Sequence, residues 1–241
     1  MNLFRKTFFL FLIIAQIIFS QNYVQYVDPF IGTGLNGHTY PGAIVPFGMV
    51  QLSPDNGKSG WEYSSCYHYS DSLIVGFSHT HLSGTGIGDL YDIQFMPASF
   101  SKNISDNEIL KANFISKFDH QNESASAGYY SVVLKDYNIT TELTAALRSG
   151  IQKHTFNNNG NEFVQIDLGY SKNWDTPTET FIKVINEYAI CGYRLSTGWA
   201  EDQRVYFYTE FSNPILKSYL IQDSLFLKNL REVKGKTTRA I

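Results

Sequence analysis

Short runs rich in Val, Ile, Phe and Tyr, each closed off by Gly, Pro, Asn or Asp, recur along this chain and leave it few options but an all-β fold. The segments 43–52, 73–78, 92–96, 129–134, 162–168, 181–185 and 204–211 read as strands, and no long segment carries a helical period. Asn157-Asn-Asn-Gly-Asn161 sits between two such runs and predicts a hairpin loop, with Gly160 supplying positive φ. Repeated short strands separated by turns favour a β-sandwich. No repeat at solenoid spacing, low-complexity tract or linker interrupts the chain. About 220 residues beyond the N-terminal segment suffice for one large all-β domain or two small ones.

That N-terminal segment carries Arg5 and Lys6, then an apolar run over 8–18 broken only by Gln16, then Phe19-Ser20-Gln21 at a cleavage-like position. It reads as a signal peptide over 1–21, because a membrane-spanning anchor needs about 20 apolar residues. The expected destination is the periplasm, the cell surface or the medium, without stable membrane insertion after cleavage. The whole chain has 19 basic and 22 acidic residues, and loss of the two basic residues of the leader moves the formal net charge from −3 to −5. Mild acidity argues against a nucleic-acid partner. Cys66 and Cys191 allow at most one disulfide, and either a bridge or two free thiols fits their spacing.

Between His38 and Met96 aromatics, histidines and glycines crowd together. Flat rings offer apolar platforms to the C–H faces of a pyranose, and His, Asp, Asn and backbone groups hydrogen-bond its hydroxyls, so the mixture points to sugar handling. In His79-Thr-His81 a strand would put both imidazoles on one face, near Asp89 and Asp92. Two histidines with loosely spaced carboxylates read either as a zinc site or, the reading preferred here, as side chains fixed by hydrogen bonds beside a loop or pocket. Gly84-Thr-Gly-Ile-Gly88 lacks a following helix and the spacing of a dinucleotide or Walker motif, which removes the nucleotide reading. Trp61, on a Gly-punctuated loop with Tyr63, Tyr67, His68 and Tyr69 close behind, fits a sugar platform and a core aromatic equally. Trp174 and Trp199 lie in turn-like contexts and read rather as structural aromatics.

The ordered motifs His38-Thr-Tyr-Pro-Gly-Ala43, Pro46-Phe-Gly-Met-Val-Gln-Leu-Ser-Pro-Asp55, Gly60-Trp61, Tyr67-His-Tyr-Ser-Asp71, Gly76-Phe-Ser-His-Thr-His-Leu-Ser-Gly-Thr-Gly86 and Gly88-Asp89 resemble the N-terminal domain of glycoside hydrolase family 92. Gly192-Tyr-Arg194, Gly198-Trp-Ala200, Asp202-Gln203, Val205-Tyr-Phe207 and Glu210-Phe-Ser212 extend the resemblance from about Val27 to the end. Cys66 departs from it, standing where the family usually has Gly.

The resemblance implies a β-sandwich of the galactose-mutarotase-like supersandwich kind, packed in the complete enzyme on an (α/α)6 barrel. It implies a secreted, calcium-dependent exo-α-mannosidase that trims terminal α-linked mannose from N-glycans or mannan with inversion. In such a reaction one carboxylic acid protonates the leaving oxygen while a carboxylate roughly 6.5–9.5 Å away activates water. Acid, base and most calcium ligands belong to the barrel in that family. The expectation is therefore a sandwich domain over 22–241, truncated at its C-terminal end, with no catalytic residue or metal ligand of its own, and inactive alone. Its partners would be α-mannoside glycans and the missing barrel. Trp61 is the first candidate for a stacking wall on the leaving-group side; His38, His79, His81 and Asp89 are candidates for polar contacts or interface support, with Tyr67 and His68 behind them. A freestanding carbohydrate-binding module, an inactive remnant and a zinc hydrolase built on His79, His81 and Asp89 are the competing readings.

Overall fold

The computed structural model describes residues 23–227 and 229–241; the leader expected over 1–21 lies outside them. Within these residues the β-rich runs pair antiparallel throughout, with strands numbered in chain order. A long sheet runs, in spatial order, through β1 (Ala43–Ile44), β2 (Gln51–Asp55), β4 (Gly76–Ser78), β5 (Gln94–Phe100), β11 (Asn161–Asp167), β18 (Thr238–Ala240), β15 (Leu220–Gln222) and β16 (Leu225–Leu227). A second sheet holds β10 (Gly150–Phe156), β9 (Ile139–Ala145), β8 (Tyr129–Leu134) and β7 (Glu123–Ser126). A third holds β14 (Gln203–Glu210), β13 (Ala189–Thr197), β12 (Thr176–Val184) and β17 (Glu232–Gly235), and β3 (Leu73–Ile74) pairs with β6 (Ser116–Lys117).

The long sheet is the middle layer. Side chains alternate across a strand, and β5 is buried along nearly its whole length because both of its faces are covered. Met96 and Ala98 join a core with Leu52, Phe77, Val132, Leu134, Ile139 and Leu143, against the second sheet. Phe95 points the other way, into a core with Ile166, Leu168, Ile182, Ile190 and Val233, against the third. The second and third sheets each bury one face, which gives β13 its alternation of buried Ile190, Gly192, Arg194 and Ser196 with half-exposed Cys191, Tyr193, Leu195 and Thr197. The all-β sandwich expected from the sequence is thus present as three layers.

Two local expectations change. The run 43–52 divides into β1 and β2, because Pro46 has no N–H for a ladder, Phe47 takes φ 58° and Gly48 N donates to Val45 O at 2.9 Å in a turn. The segment 157–161 is no hairpin: β10 pairs with β9, whereas β11 pairs with β5, so the turn carries the chain from one layer to another. Gly160 is needed there for room rather than for positive φ, since a Cβ would stand 2.4 Å from Ser99 Oγ and 2.5 Å from Phe100 O. A short helix, α1 (Asp106–Lys111), begins in a capping box in which Ser105 and Glu108 bond each other's backbone N–H reciprocally, and it seats Ile109 in the first core.

Both cysteines are free. Cys66 is buried with Sγ 3.1 Å from Tyr170 Oη, and its φ of 64° lies in the left-handed region that glycine occupies without strain. Burial pushes its thiol well above the ordinary range. Among the described residues no helix is long and apolar enough to cross a membrane.

Candidate functional site

The loop 84–90 lies in the connection between β4 and β5, neighbours within the long sheet, and three distant segments are fastened to it. Gly84 N donates to His38 O at 2.6 Å, Trp174 N donates to Gly88 O at 3.0 Å, and Trp199 N donates to Asp89 Oδ2 at 2.8 Å. Trp61 packs over Gly86, where a Cβ would come within 2.7 Å of the indole Nε1, and Gly86 itself sits at φ +65°. All three tryptophans therefore stand along four consecutive residues of one loop. Each is more than half exposed: Trp61 59%, Trp174 61% and Trp199 62%. Trp174 and Trp199, read in sequence as structural aromatics, are surface rings.

Trp61 opens a one-turn 3-10 segment, Trp61–Tyr63, after Gly60 at φ 124°. His38 supports it from behind: the two ring centroids are 4.2 Å apart with planes at 71°, an edge-to-face contact. His38 is 7% exposed, its Nδ1 lies 2.9 Å from Ser64 Oγ, and its buried Nε2 has no hydrogen-bond partner among the described residues. Asn173 ties the wall together, its Oδ1 accepting from Gly60 N at 2.7 Å and its amide packed where a Gly88 side chain would be. Asn173 takes φ 56°, a conformation Asn tolerates better than most residues. Neither Asn173 nor Gln203 is among the candidate site residues read from the sequence; Asn173 is marked there only by its place beside a tryptophan in a turn-like segment, and Gln203 only by the Asp202-Gln203 motif.

Asp89 is buried beneath this surface and its carboxylate is fully engaged, accepting from Leu90 N at 2.9 Å on Oδ1 and from Trp199 N and Gln203 Nε2, each at 2.8 Å, on Oδ2. A shallow cavity of about 330 Å³ lies beside it, lined by Leu82, Asp89, Leu90, Trp199, Ala200 and Gln203. A larger groove of about 500 Å³, lined by Leu216, Lys217, Phe226 and Arg231 among others, lies at the Val184 end of β12, opposite the end that leads to Trp174.

The remaining candidates are dispersed. β4 ends at Ser78, so His79 and His81 do not share a strand face. His79 Nδ1 lies 2.7 Å from Ile93 O, and burial holds its imidazole below the usual range. His81 turns into the protein, with Nδ1 2.8 Å from Gln51 O and Nε2 2.9 Å from Asp55 Oδ1, both side chains completely buried. Ser78 Oγ lies 3.1 Å from that same Nε2 and also donates to Asp55. Complete enclosure keeps substrate from this Ser-His-Asp grouping. Tyr67 is buried and donates to Glu123 at 3.0 Å, where Tyr130 Oη (2.6 Å) and His120 Nδ1 (2.6 Å) also converge. His68 is held by Ser70 and by Leu35 O at the surface. The structure thus gathers His38, Trp61 and Asp89 about one loop and places His68, Tyr67, His79 and His81 elsewhere.

Among the described residues no group of three or more His, Cys, Asp and Glu side chains is placed to hold a metal ion. A zinc site on His79, His81 and Asp89 would need atoms of His81 and Asp89 that already serve protein hydrogen bonds. These residues also offer calcium no cage of oxygen ligands. The other carboxylates near the loop, Asp92 and Asp175, clamp the buried guanidinium of Arg194. Burial pushes Asp175 up to about 6, against the opposing pull of Arg194.

Residues 26–241 match the Glycosyl hydrolase family 92 N-terminal domain. A family GH92 α-mannosidase of Bacteroides thetaiotaomicron, solved in complex with mannoimidazole, superposes with a TM-score of 0.82 at 35% identity, over 91% of this chain and 30% of that one. A family GH92 inverting mannosidase of the same organism gives 0.71 at 27% identity, over 90% and 29%. An uncharacterized secreted glycosidase of Arthroderma benhamiae is 30% identical over 146 residues, which is 58% of this chain and 18% of that protein. The chain thus spans less than a third of the length of the relatives it matches.

Proposed function

The chain belongs to glycosyl hydrolase family 92, as its N-terminal domain, and from that premise we propose that it is the sugar-facing β-sandwich of a secreted exo-α-mannosidase. The observation that carries this reading is the row of three exposed tryptophans fixed along the loop 84–90, with His38 buttressing Trp61. An exposed indole held rigid from behind loses little freedom when a pyranose stacks on it, and so is suited to be a wall of the sugar pocket. Trp61 is assigned to the leaving-group side. A relative solved with mannoimidazole supports mannose as the sugar, and a relative named an inverting mannosidase supports a single displacement with inversion. The relative called a secreted glycosidase and the leader-like segment together support export.

The acid, the base and the calcium ligands are assigned to the part of the enzyme outside this chain. In support, Asp89, Asp92 and Asp175 are all buried and spent on Trp199, Gln203 and Arg194, so none can reach a glycosidic oxygen or a water on the sugar's far face. This domain's own residues would bind and orient the sugar without moving a proton in the reaction.

Titration of the purified chain with α-1,2-mannobiose, followed by tryptophan fluorescence, tests the reading. A saturable change that disappears in Trp61→Ala is expected; no saturable change would overturn the sugar wall. Mannose released from the same disaccharide by this chain with calcium present would sink the assignment of the chemistry to the part of the enzyme outside this chain.

A further inference from the structure

We infer that the cavity beside Trp199 is a second saccharide subsite, so that the glycan engaged by this domain is an oligosaccharide lying along the loop 84–90 rather than a single sugar at Trp61. This rests on the reading of Trp61 as a sugar wall and adds a place for a further unit.

The cavity is a built feature. Trp199 is exposed as a ring yet fixed through its backbone, because Asp89 Oδ2 accepts its N–H at 2.8 Å from a buried position. The same oxygen orients Gln203, whose Nε2 donates to it at 2.8 Å while its Oε1 accepts from Ser196 Oγ at 2.9 Å. Gly198 is required for this approach, since a Cβ there would stand 2.2 Å from Asp89 Oδ1. Leu82, Leu90 and Ala200 supply apolar floor, and the second Nε2 hydrogen of Gln203 is left to bond a hydroxyl. An exposed indole on an anchored backbone, beside an oriented amide, is the combination that reads one pyranose, by a C–H face and by a hydroxyl.

Position decides the occupant. Gly86, under Trp61, and Asp89, which holds Trp199, are three residues apart, so their Cα atoms are separated by at most about 11 Å. Trp174, exposed as well, is anchored between them by its N–H to Gly88 O. A sugar stacked on Trp61 leaves the Trp199 indole and Gln203 for a further unit, which a chain of sugars continuing along the loop supplies.

The test uses the chain carrying 5-fluorotryptophan, whose three 19F resonances are assigned with single Trp→Phe variants. Methyl α-mannoside, α-1,2-mannobiose and an α-linked mannotetraose serve as probes. The Trp61 resonance is expected to move with all three and the Trp199 resonance with the tetraose. The tetraose should bind roughly three- to ten-fold more tightly than the disaccharide, and Trp199→Ala should bring that ratio near one. The Trp61 resonance of the Trp199→Ala protein reports that the fold is intact. A Trp199 resonance unmoved by the tetraose while Trp61 responds would overturn the second subsite and leave the sugar wall standing. If neither resonance moves with any probe, both readings fall.

Discussion

Gly86 leaves the space that the Trp61 indole fills: a Cβ on Gly86 would approach Trp61 Nε1 to 2.7 Å, and the residue sits at φ +65°. Gly86→Ala therefore meets two penalties, a left-handed backbone and a displaced aromatic ring. Loss of about 1 kcal/mol or more in urea denaturation is expected, together with a shifted tryptophan emission maximum. Unchanged emission in a destabilised variant would show that the indole does not depend on this glycine.

The strand runs were legible because a period of two survives in a sheet with one buried face, and 129–134 coincides with β8. The turn 157–161 was misread because its residues report only that the chain turns; which strand β11 then joins is fixed by β5, some 60 residues earlier. The helix α1 is too short for periodicity, although Ser105-Asp-Asn-Glu108 carries a capping box. At the site, Gly60-Trp61 could be picked out from its neighbours. The exposure of Trp199 could not, because it depends on Asp89, 110 residues away. The paths of His79 and His81 likewise depend on Ile93 O and Asp55, which no local pattern contains.

Arg194 uses its whole guanidinium to join the third sheet to the long one. Nε donates to Leu168 O, Nη1 to Asp92 and Asp175, and Nη2 to Tyr170 O and Asp175, which accounts for all five N–H donors. Lysine has one nitrogen to offer and strands two buried carboxylates. Arg194→Lys is expected to cost about 3 kcal/mol or more in chemical denaturation. A cost below about 1 kcal/mol would mean that water replaces the lost donors.

Asp55 stands at the centre of a buried network, accepting from Ser78 Oγ at 2.9 Å and Gln94 Nε2 at 2.8 Å, with His81 Nε2 2.9 Å away. Each ring nitrogen of His81 faces an oxygen, Nδ1 that of Gln51 and Nε2 that of Asp55. Asp55→Asn replaces one buried carboxylate oxygen by an amide NH2 and sets its N–H against the Ser78, His81 and Gln94 groups that converge there. Destabilisation of about 3–5 kcal/mol is expected from thermal and urea unfolding. Wild-type stability in Asp55→Asn would show that the carboxylate charge contributes nothing there.

His154 on β10 is pushed down to about 4 by burial, with Thr141 Oγ1 3.1 Å from its Nδ1, whereas in the unfolded chain its value is near 6.5. Between those values the unfolded state binds more protons, so the contribution of His154 is complete above pH 6.5 and is lost as the pH falls through 4. Burial displaces His79 in the same direction. Asp175, raised to about 6, has the opposite slope: its contribution is present below about 3.8 and is lost as the pH rises through 6. The two effects oppose each other near pH 5, so a wild-type stability curve alone does not separate them. The difference in unfolding free energy between wild type and His154→Gln isolates the imidazole, and it should rise in favour of wild type from pH 4 to 6.5. A flat difference over that interval would mean that His154 charges in the folded protein as readily as in the unfolded one.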